Sequence, residues 1–146
     1  MAITSAVCNS FKQEILEAEH NFTASSGNTF NLALYTSSAT INKSTTAYSA
    51  TNEISNTSGS AYSAKGNALT SVTPVLDSDT AVCDFSNTSW TSASFTARCW
   101  LIFNDSHSSD AAVCAIDFGG DKTVTSGTFT VEFPAAAAST AIIQIA

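Results

Sequence analysis

Histidine is the residue type that exchanges protons most readily near neutral pH, and the sequence contains two, His20 and His107. His107 lies in the polar segment NDSHSSD (residues 104–110), beside Asp105 and Asp110. That segment lacks the 1-3-5-12 ligand spacing and the closing glutamate of a calcium loop. The chain also has no G-x-S-x-G nucleophile motif. We therefore interpret His107 as part of a solvated turn and His20 as the end of a helix.

The stretch AIDFGGDKTVTSGTFTVEF (residues 115–133) contains short motifs that resemble magnesium-binding or phosphate-binding motifs of other proteins. Asp117-Phe118-Gly119 matches the kinase DFG triplet, but a kinase also needs a catalytic loop and a strand lysine. A phosphate loop needs G-x-x-x-x-G-K-[ST] leading into a helix, whereas the residues after Thr123 are typical of a strand. The stretch therefore predicts two strands joined by glycine-rich turns.

Two acidic pairs, Asp77/Asp79 and Asp117/Asp121, have the residue types that glycosidases use. Glycosidases need two carboxylates at a defined separation, which sequence does not give. Asp77-Ser78-Asp79 lies between two apolar runs and predicts a hairpin turn. We expect no catalytic residue, no cofactor and no metal ligand in this chain.

The composition narrows the class of partner. Charged residues make up 12% of the 146 residues, about half the usual share, and the net charge is −7. The five basic residues are scattered singly, which argues against direct nucleic-acid binding. Apolar runs are too short to span a membrane. The first residues lack the features of a signal peptide, so we expect synthesis in a cytoplasm.

Cysteine usage agrees with a reducing compartment. Cys8, Cys83, Cys99 and Cys114 form no CxxC pair and match no zinc spacing. Each has apolar neighbours in the sequence, and a buried thiol behaves as a small hydrophobe. We predict four structural thiols, with a disulfide or an inter-subunit link as the alternative.

The chain predicts one domain, residues 1–146, that is mainly β. An amphipathic helix is expected over residues 4–21, because Phe11 and Ile15 recur at helical spacing, with Leu16 widening the stripe. From residue 30 onward the apolar period is two, most clearly in SFTARCWLIF (residues 94–103). We predict an antiparallel β-sandwich or jelly-roll-like fold over residues 30–146.

Residues 36–71 differ from the rest of the predicted sandwich. Large apolar side chains are sparse there, although Tyr48 and Tyr62 recur within the segment. We predict long loops with short edge strands rather than disorder.

Five segments, taken in order, resemble a family of small virion proteins encoded by tailed bacteriophages. The segments are CNSFKQEILEAEHNF, FNLALYTSSATINKSTTAYSATNEIS, SWTSASFTARCWLIFND, AIDFGGDKTVTSGTFTVEFP and TAIIQIA. The resemblance implies a non-enzymatic part that is assembled in many copies on a virus particle. The family has no catalytic residues that could be assigned to positions in this chain.

The leading expectation is a capsid decoration (cement) protein, located in the virion and bound to the major capsid protein as a symmetric homo-oligomer. Aromatic and apolar anchors are typical of such interfaces. The expected anchors are Phe11, Ile15, Tyr48, Tyr62, Trp90 and Trp100. The alternatives are a tail, collar or fibre component, a carbohydrate-binding host-attachment module with a Trp/Tyr platform, and, third, a hydrolase.

Overall fold

The computed structural model describes residues 2–55 and 59–146. Strands make up 48% of the chain, about twice the usual share, and one short helix accompanies them. The mainly β prediction is confirmed. No helix in the described ranges is long and apolar enough to cross a membrane.

Within the described residues, eight strands and one helix follow one another. In chain order they are β1 (Ala6–Val7), α1 (Asn9–Glu14), β2 (Phe30–Tyr35), β3 (Asn67–Ala68), β4 (Ser71–Asp77), β5 (Thr80–Phe85), β6 (Thr88–Asn104), β7 (Ala111–Val131) and β8 (Ile143–Ile145).

The strands form two antiparallel sheets. The large sheet has the order β1-β7-β6-β2-β3, and the small sheet has the order β4-β5-β8. β6 and β7 form a long hairpin that pairs from Thr88↔Val131 to Asn104↔Ala111. β2 pairs with β6 along only the last part of β6, from Cys99 to Asn104. The remainder of the hairpin is therefore a two-stranded ribbon within the large sheet.

β7 corrects the prediction of glycine-rich turns after residue 118. The strand is continuous through Gly119, Gly120 and Asp121 to Val131. Gly119 has φ of +76° and lies beside a register shift, and Ser126 has φ of +47°. These positions are irregularities that bend a strand, not turns that end it.

The bends curl the ribbon back on itself. Phe118 and Phe129 lie on the same strand, yet their ring centroids are 6.1 Å apart. A straight strand with a rise of ~3.3 Å per residue would separate them by roughly 36 Å. Phe95, on the partner strand, lies 5.1 Å from Phe129 by ring centroids. Aromatic side chains thus line the inside of the curl.

The centre of the large sheet is covered on both faces. Neighbouring pairs in the β2–β6 register place Phe30 and Phe103 on opposite faces. Phe22 stacks on Phe30 at 4.2 Å, and Phe85 of the small sheet lies 5.9 Å from Phe30. Tyr48 stacks on Phe103 at 4.7 Å. The small sheet and the segment after α1 therefore cover one face, and the loops after β2 cover the other.

The N-terminal helix is much shorter than the predicted 4–21. Ala6–Val7 is extended because it pairs with Cys114 and Ala115 at the edge of β7. α1 then covers only Asn9–Glu14, and Ala18 has a left-handed φ of +61°. Leu16, which the sequence pattern places on the buried stripe, is 88% exposed. Strand pairing at the start and left-handed backbone near residue 18 leave room for only a short helix.

Residues 36–55 and 59–70 lie mostly in loops, with β3 as a short edge strand. β3 pairs with β2 at the edge of the large sheet. Isolated bridges join Tyr35 to Glu53 and Ala47 to Ala111. Residues 56–58 of this segment lie outside the described residues.

Candidate functional site: an apolar face and an aromatic cleft

The aspartate of the DFG triplet is part of an ion pair on the ribbon. Asp117 Oδ1 accepts hydrogen bonds from Arg98 Nε and from the backbone N–H of Gly119, each at 2.9 Å. The Arg98 hydrogen bond, supported by the one from Gly119, lowers the pKa of Asp117 below its ordinary value. A carboxylate held this way stabilises the ribbon at its bend.

The two histidines stack on each other, with ring centroids 6.2 Å apart. His20 is buried, and its Nε2 lies 2.8 Å from Glu14 Oε2. The Asn104 side-chain nitrogen donates to His20 Nδ1 at 3.1 Å, so Nε2 carries the proton that Glu14 accepts. His107 Nε2 lies 3.4 Å from Glu19 Oε2. The prediction that His107 is simply a solvated turn residue is therefore incomplete.

The acidic residues of NDSHSSD hold a lysine. Lys65 Nζ lies 2.8 Å from Asp105 Oδ1 and 2.9 Å from Asp110 Oδ2. Hydrogen bonds to Asp105 and Asp110 raise the pKa of Lys65. The same Nζ lies 5.7 Å from the Tyr48 ring centroid and 5.9 Å from that of Phe103. This cluster fastens the loops after β2 to the β6–β7 turn, and no group of three metal-ligating side chains occurs within residues 2–55 and 59–146.

The predicted hairpin at Asp77-Ser78-Asp79 is confirmed. β4 ends at Asp77 and β5 begins at Thr80, with Ser78 at φ of +55°. Asp77 Oδ2 accepts a hydrogen bond of 2.7 Å from the backbone N–H of Ala138. This carboxylate secures a turn to the segment that precedes β8.

Most of the expected partner anchors lie inside the protein's own core. Phe11, Tyr62, Trp90 and Trp100 are at most 4% exposed. Ile15 and Tyr48 are half-buried and pack against the same core. Phe11 packs against His20 and Phe22, and Trp90 packs against Tyr62 and Phe95. Their role as partner anchors stays a prediction.

The four thiols are free and buried, as expected for structural cysteines. Burial is the main cause that raises the pKa of Cys8 to about 11 and that of Cys83 and Cys99 to about 12. The thiols are protonated at neutral pH and are poor nucleophiles.

Sequence reasoning missed an exposed apolar face on the small sheet. Within the described residues, the exposed large hydrophobic side chains are Leu16, Val72, Val75, Leu76 and Ile145. Val75 directly precedes Leu76 on β4, so their side chains point to opposite faces of the sheet, and we use the term apolar face only for the row that contains Leu76 and Ile145. Leu76 pairs with Ala81, which pairs with Ile145, so Leu76 and Ile145 lie on one row across the sheet. They are 73% and 58% exposed.

An apolar groove of about 120 Å³ lies beside the apolar face. Phe11, Ile15 and Phe22 form one side, and residues of the small sheet such as Pro74 and Ile145 form the other. The groove and the apolar face together leave hydrophobic surface uncovered between α1 and the small sheet.

A second concave surface lies where the curled ribbon meets its own end. It is a cleft of about 410 Å³, which we call the aromatic cleft. Trp100, Phe118 and Phe133 supply its rings, and Thr130 and Glu132 supply its polar groups. The sequence does not predict the curl of β7. For that reason the sequence pattern does not show that residue 118 lies near residues 130–133.

No family model, curated protein or solved structure matches this chain.

Proposed function

We propose that this protein is a non-enzymatic structural protein of a bacteriophage virion, a capsid decoration protein that binds the major capsid lattice. The observation that supports this most is the exposure of large apolar side chains on the small sheet, where Leu76 and Ile145 lie on one row across the strands. Contiguous exposed apolar surface on a chain with few charges is typical of a protein–protein contact.

Burial of this face would supply favourable free energy. Burying one fully exposed Leu, Ile or Val side chain contributes roughly 1.5–3 kcal/mol, before the cost of association is subtracted. Leu76 and Ile145 are exposed enough for such a gain. A lattice also presents the same contact many times. A small favourable binding free energy per copy is therefore sufficient to reinforce the capsid.

The side chains with catalytic potential support the non-enzymatic part of the proposal. Asp117 is held by Arg98, and Asp105 and Asp110 are held by Lys65. These groups stabilise the fold where they lie. We also propose that the two sheets form a sandwich, since Phe85 of the small sheet packs near Phe30 of the large sheet. A dimeric or trimeric assembly in the virion belongs to the same proposal.

A tail, collar or fibre component is the second candidate, because the apolar face would serve any virion contact. A carbohydrate-binding module would need exposed aromatic rings. Trp90, Trp100 and Tyr62 are buried, which disfavours such a platform.

The experiment is a binding assay on expanded capsids that lack the decoration protein. Purified protein is mixed with capsids or with isolated tails, and the bound fraction is measured by sedimentation. The test variants are Leu76→Asp and Ile145→Asp, and the control is Thr128→Asp, which changes an exposed residue of β7. We expect capsid binding by the wild type and the control, and at least tenfold weaker binding by the test variants. Binding to tails alone, or unchanged binding by both test variants, would contradict the proposal.

A further inference from the structure

The aromatic cleft combines two features that recognise organic cations. Its accessible rings are the half-buried Phe118 and Phe133, and the buried Trp100 lies behind them with its centroid 6.0 Å from that of Phe133. Aromatic faces attract cations through the ring quadrupole, and arginine uses this contact more often than lysine. Glu132, an exposed residue, is also among the residues that line the cleft.

The charge of the cleft favours a cationic occupant. Glu132 is its only charged lining residue, and no lysine or arginine lines it. The ion pairs found among residues 2–55 and 59–146 use other carboxylates. The whole chain has a net charge of −7, which raises the local concentration of cations.

The dimensions and lining favour a flat group. A volume of about 410 Å³ lies within the range for ligand sites, and ligand sites are mostly apolar with a few placed polar groups. A guanidinium is planar, stacks on aromatic rings and pairs with a carboxylate through two parallel N–H donors. Thr130 also lines the cleft, and its hydroxyl is hydrogen-bonded to Ser89 Oγ at 2.9 Å.

We propose that the aromatic cleft binds the guanidinium group of an arginine side chain presented by a partner protein. Glu132 pairs with the guanidinium, and the rings of Phe118 and Phe133 contact its faces. The aromatic cleft shares no lining residue with the apolar groove, so this inference goes beyond the proposed function and does not depend on it.

The test uses the isolated full chain, labelled with ¹⁵N, and small probes of matched shape. The cationic probe is N-acetyl-arginine N-methylamide. The neutral probe is the corresponding citrulline amide, which keeps the shape and removes the charge. Chemical-shift changes are followed at the Trp100 indole N–H and at the backbone of residues 116–118 and 130–133.

The variant Glu132→Gln removes the carboxylate from an exposed position, and Glu17→Gln is the control at an exposed glutamate outside the cleft. We expect the arginine probe to bind at least fivefold more tightly than the citrulline probe. Glu132→Gln should weaken arginine binding about threefold to tenfold, which is the range for an exposed charge pair together with a cation–π contact. Glu17→Gln should leave it unchanged.

Three results would overturn the inference. The first is equal affinity for the arginine and citrulline probes, which would mean that the cleft does not recognise charge. The second is arginine binding that Glu132→Gln leaves unchanged, or shifts that map outside the cleft. The third is no binding of the arginine probe at concentrations up to about 50 mM, because so low an affinity would contribute little to a contact between proteins. None of these results bears on capsid binding through the apolar face.

Discussion

The phenol of Tyr62 donates a hydrogen bond of 2.7 Å to Glu53 Oε1. The same phenolic oxygen accepts a 2.9 Å hydrogen bond from the buried backbone N–H of Leu34. Glu53 also accepts from Tyr48 at 2.6 Å and from the Lys65 backbone N–H at 2.7 Å. One carboxylate thus joins the loops after β2 to the strand that they cover.

Replacing Tyr62 with Phe should destabilise the fold by about 1–3 kcal/mol, because it leaves the Leu34 N–H buried without an acceptor. Tyr48→Phe is the matched control. It removes one partly buried hydrogen bond to the same carboxylate and should cost only about 0.5–1.5 kcal/mol. Urea unfolding measures both free energies. A smaller loss for Tyr62→Phe than for Tyr48→Phe would show that the phenol does not support the strand.

Three glycine-to-alanine variants test whether the backbone at Gly119 is a left-handed irregularity within β7. Gly119 has a left-handed φ with open space around its Cβ position, so Gly119→Ala should cost about 1–2 kcal/mol from the backbone alone. Gly120 has similar open space and no positive φ, so Gly120→Ala should be close to neutral. At Gly66 an added Cβ would lie 1.8 Å from the Leu32 carbonyl oxygen, and Gly66→Ala should be the worst. Thermal unfolding ranks the three, and equal effects at Gly119 and Gly120 would contradict the strand irregularity.

The buried carboxyl of Asp84 predicts a pH dependence of stability. Burial raises its pKa above 3.8, against the opposing effect of backbone hydrogen bonds from Phe85 and Ile142. An acid whose folded-state pKa is raised binds more protons when folded, so stability falls as the pH rises from 3.8 through the folded pKa. The variant Asp84→Asn lacks this titration.

The wild type should therefore lose stability relative to Asp84→Asn as the pH is raised from 4 to 7, with a slope of at most about 1.4 kcal/mol per pH unit. Urea unfolding at several pH values measures the difference. A difference that stays constant with pH, or that changes in favour of the wild type, would be inconsistent with a buried carboxyl of raised pKa.

The thiols should be unreactive in the folded protein. Cys8, Cys83 and Cys99 have pKa values raised to about 11 or 12, and Cys114 is also raised, mainly by burial. A thiol-specific reagent at pH 8 should therefore modify the native chain no faster than it unfolds, and should modify all four cysteines in denaturant. Rapid modification of any one of them under native conditions would mean that its burial is transient.

The sequence predicted the strands whose apolar pattern is local. Phe30–Tyr35 and the end of β6 are such cases, because period-two alternation and β-branched or aromatic residues occur together there. The pattern failed at Gly119 because glycine serves turns and strand irregularities equally well. It failed at Leu16 because α1 ends at Glu14 and the backbone is left-handed at Ala18, so the helical period does not continue there.

The candidate surfaces could not be predicted for a different reason. Trp90 and Trp100 have the residue types of an interface, but whether an aromatic side chain is buried depends on the curl of the ribbon. The curl brings Phe118 near Phe129 and forms the cleft with Glu132, through contacts that no local pattern encodes.

A cryo-EM map of the virus particle that carries this chain tests the central claim most directly. We expect density for the chain on the outer surface of the capsid. Leu76 and Ile145 should lie within about 4.5 Å of side chains of the major capsid protein. A chain found only on the tail or collar, or a capsid-bound chain with the apolar face turned to solvent, would contradict it.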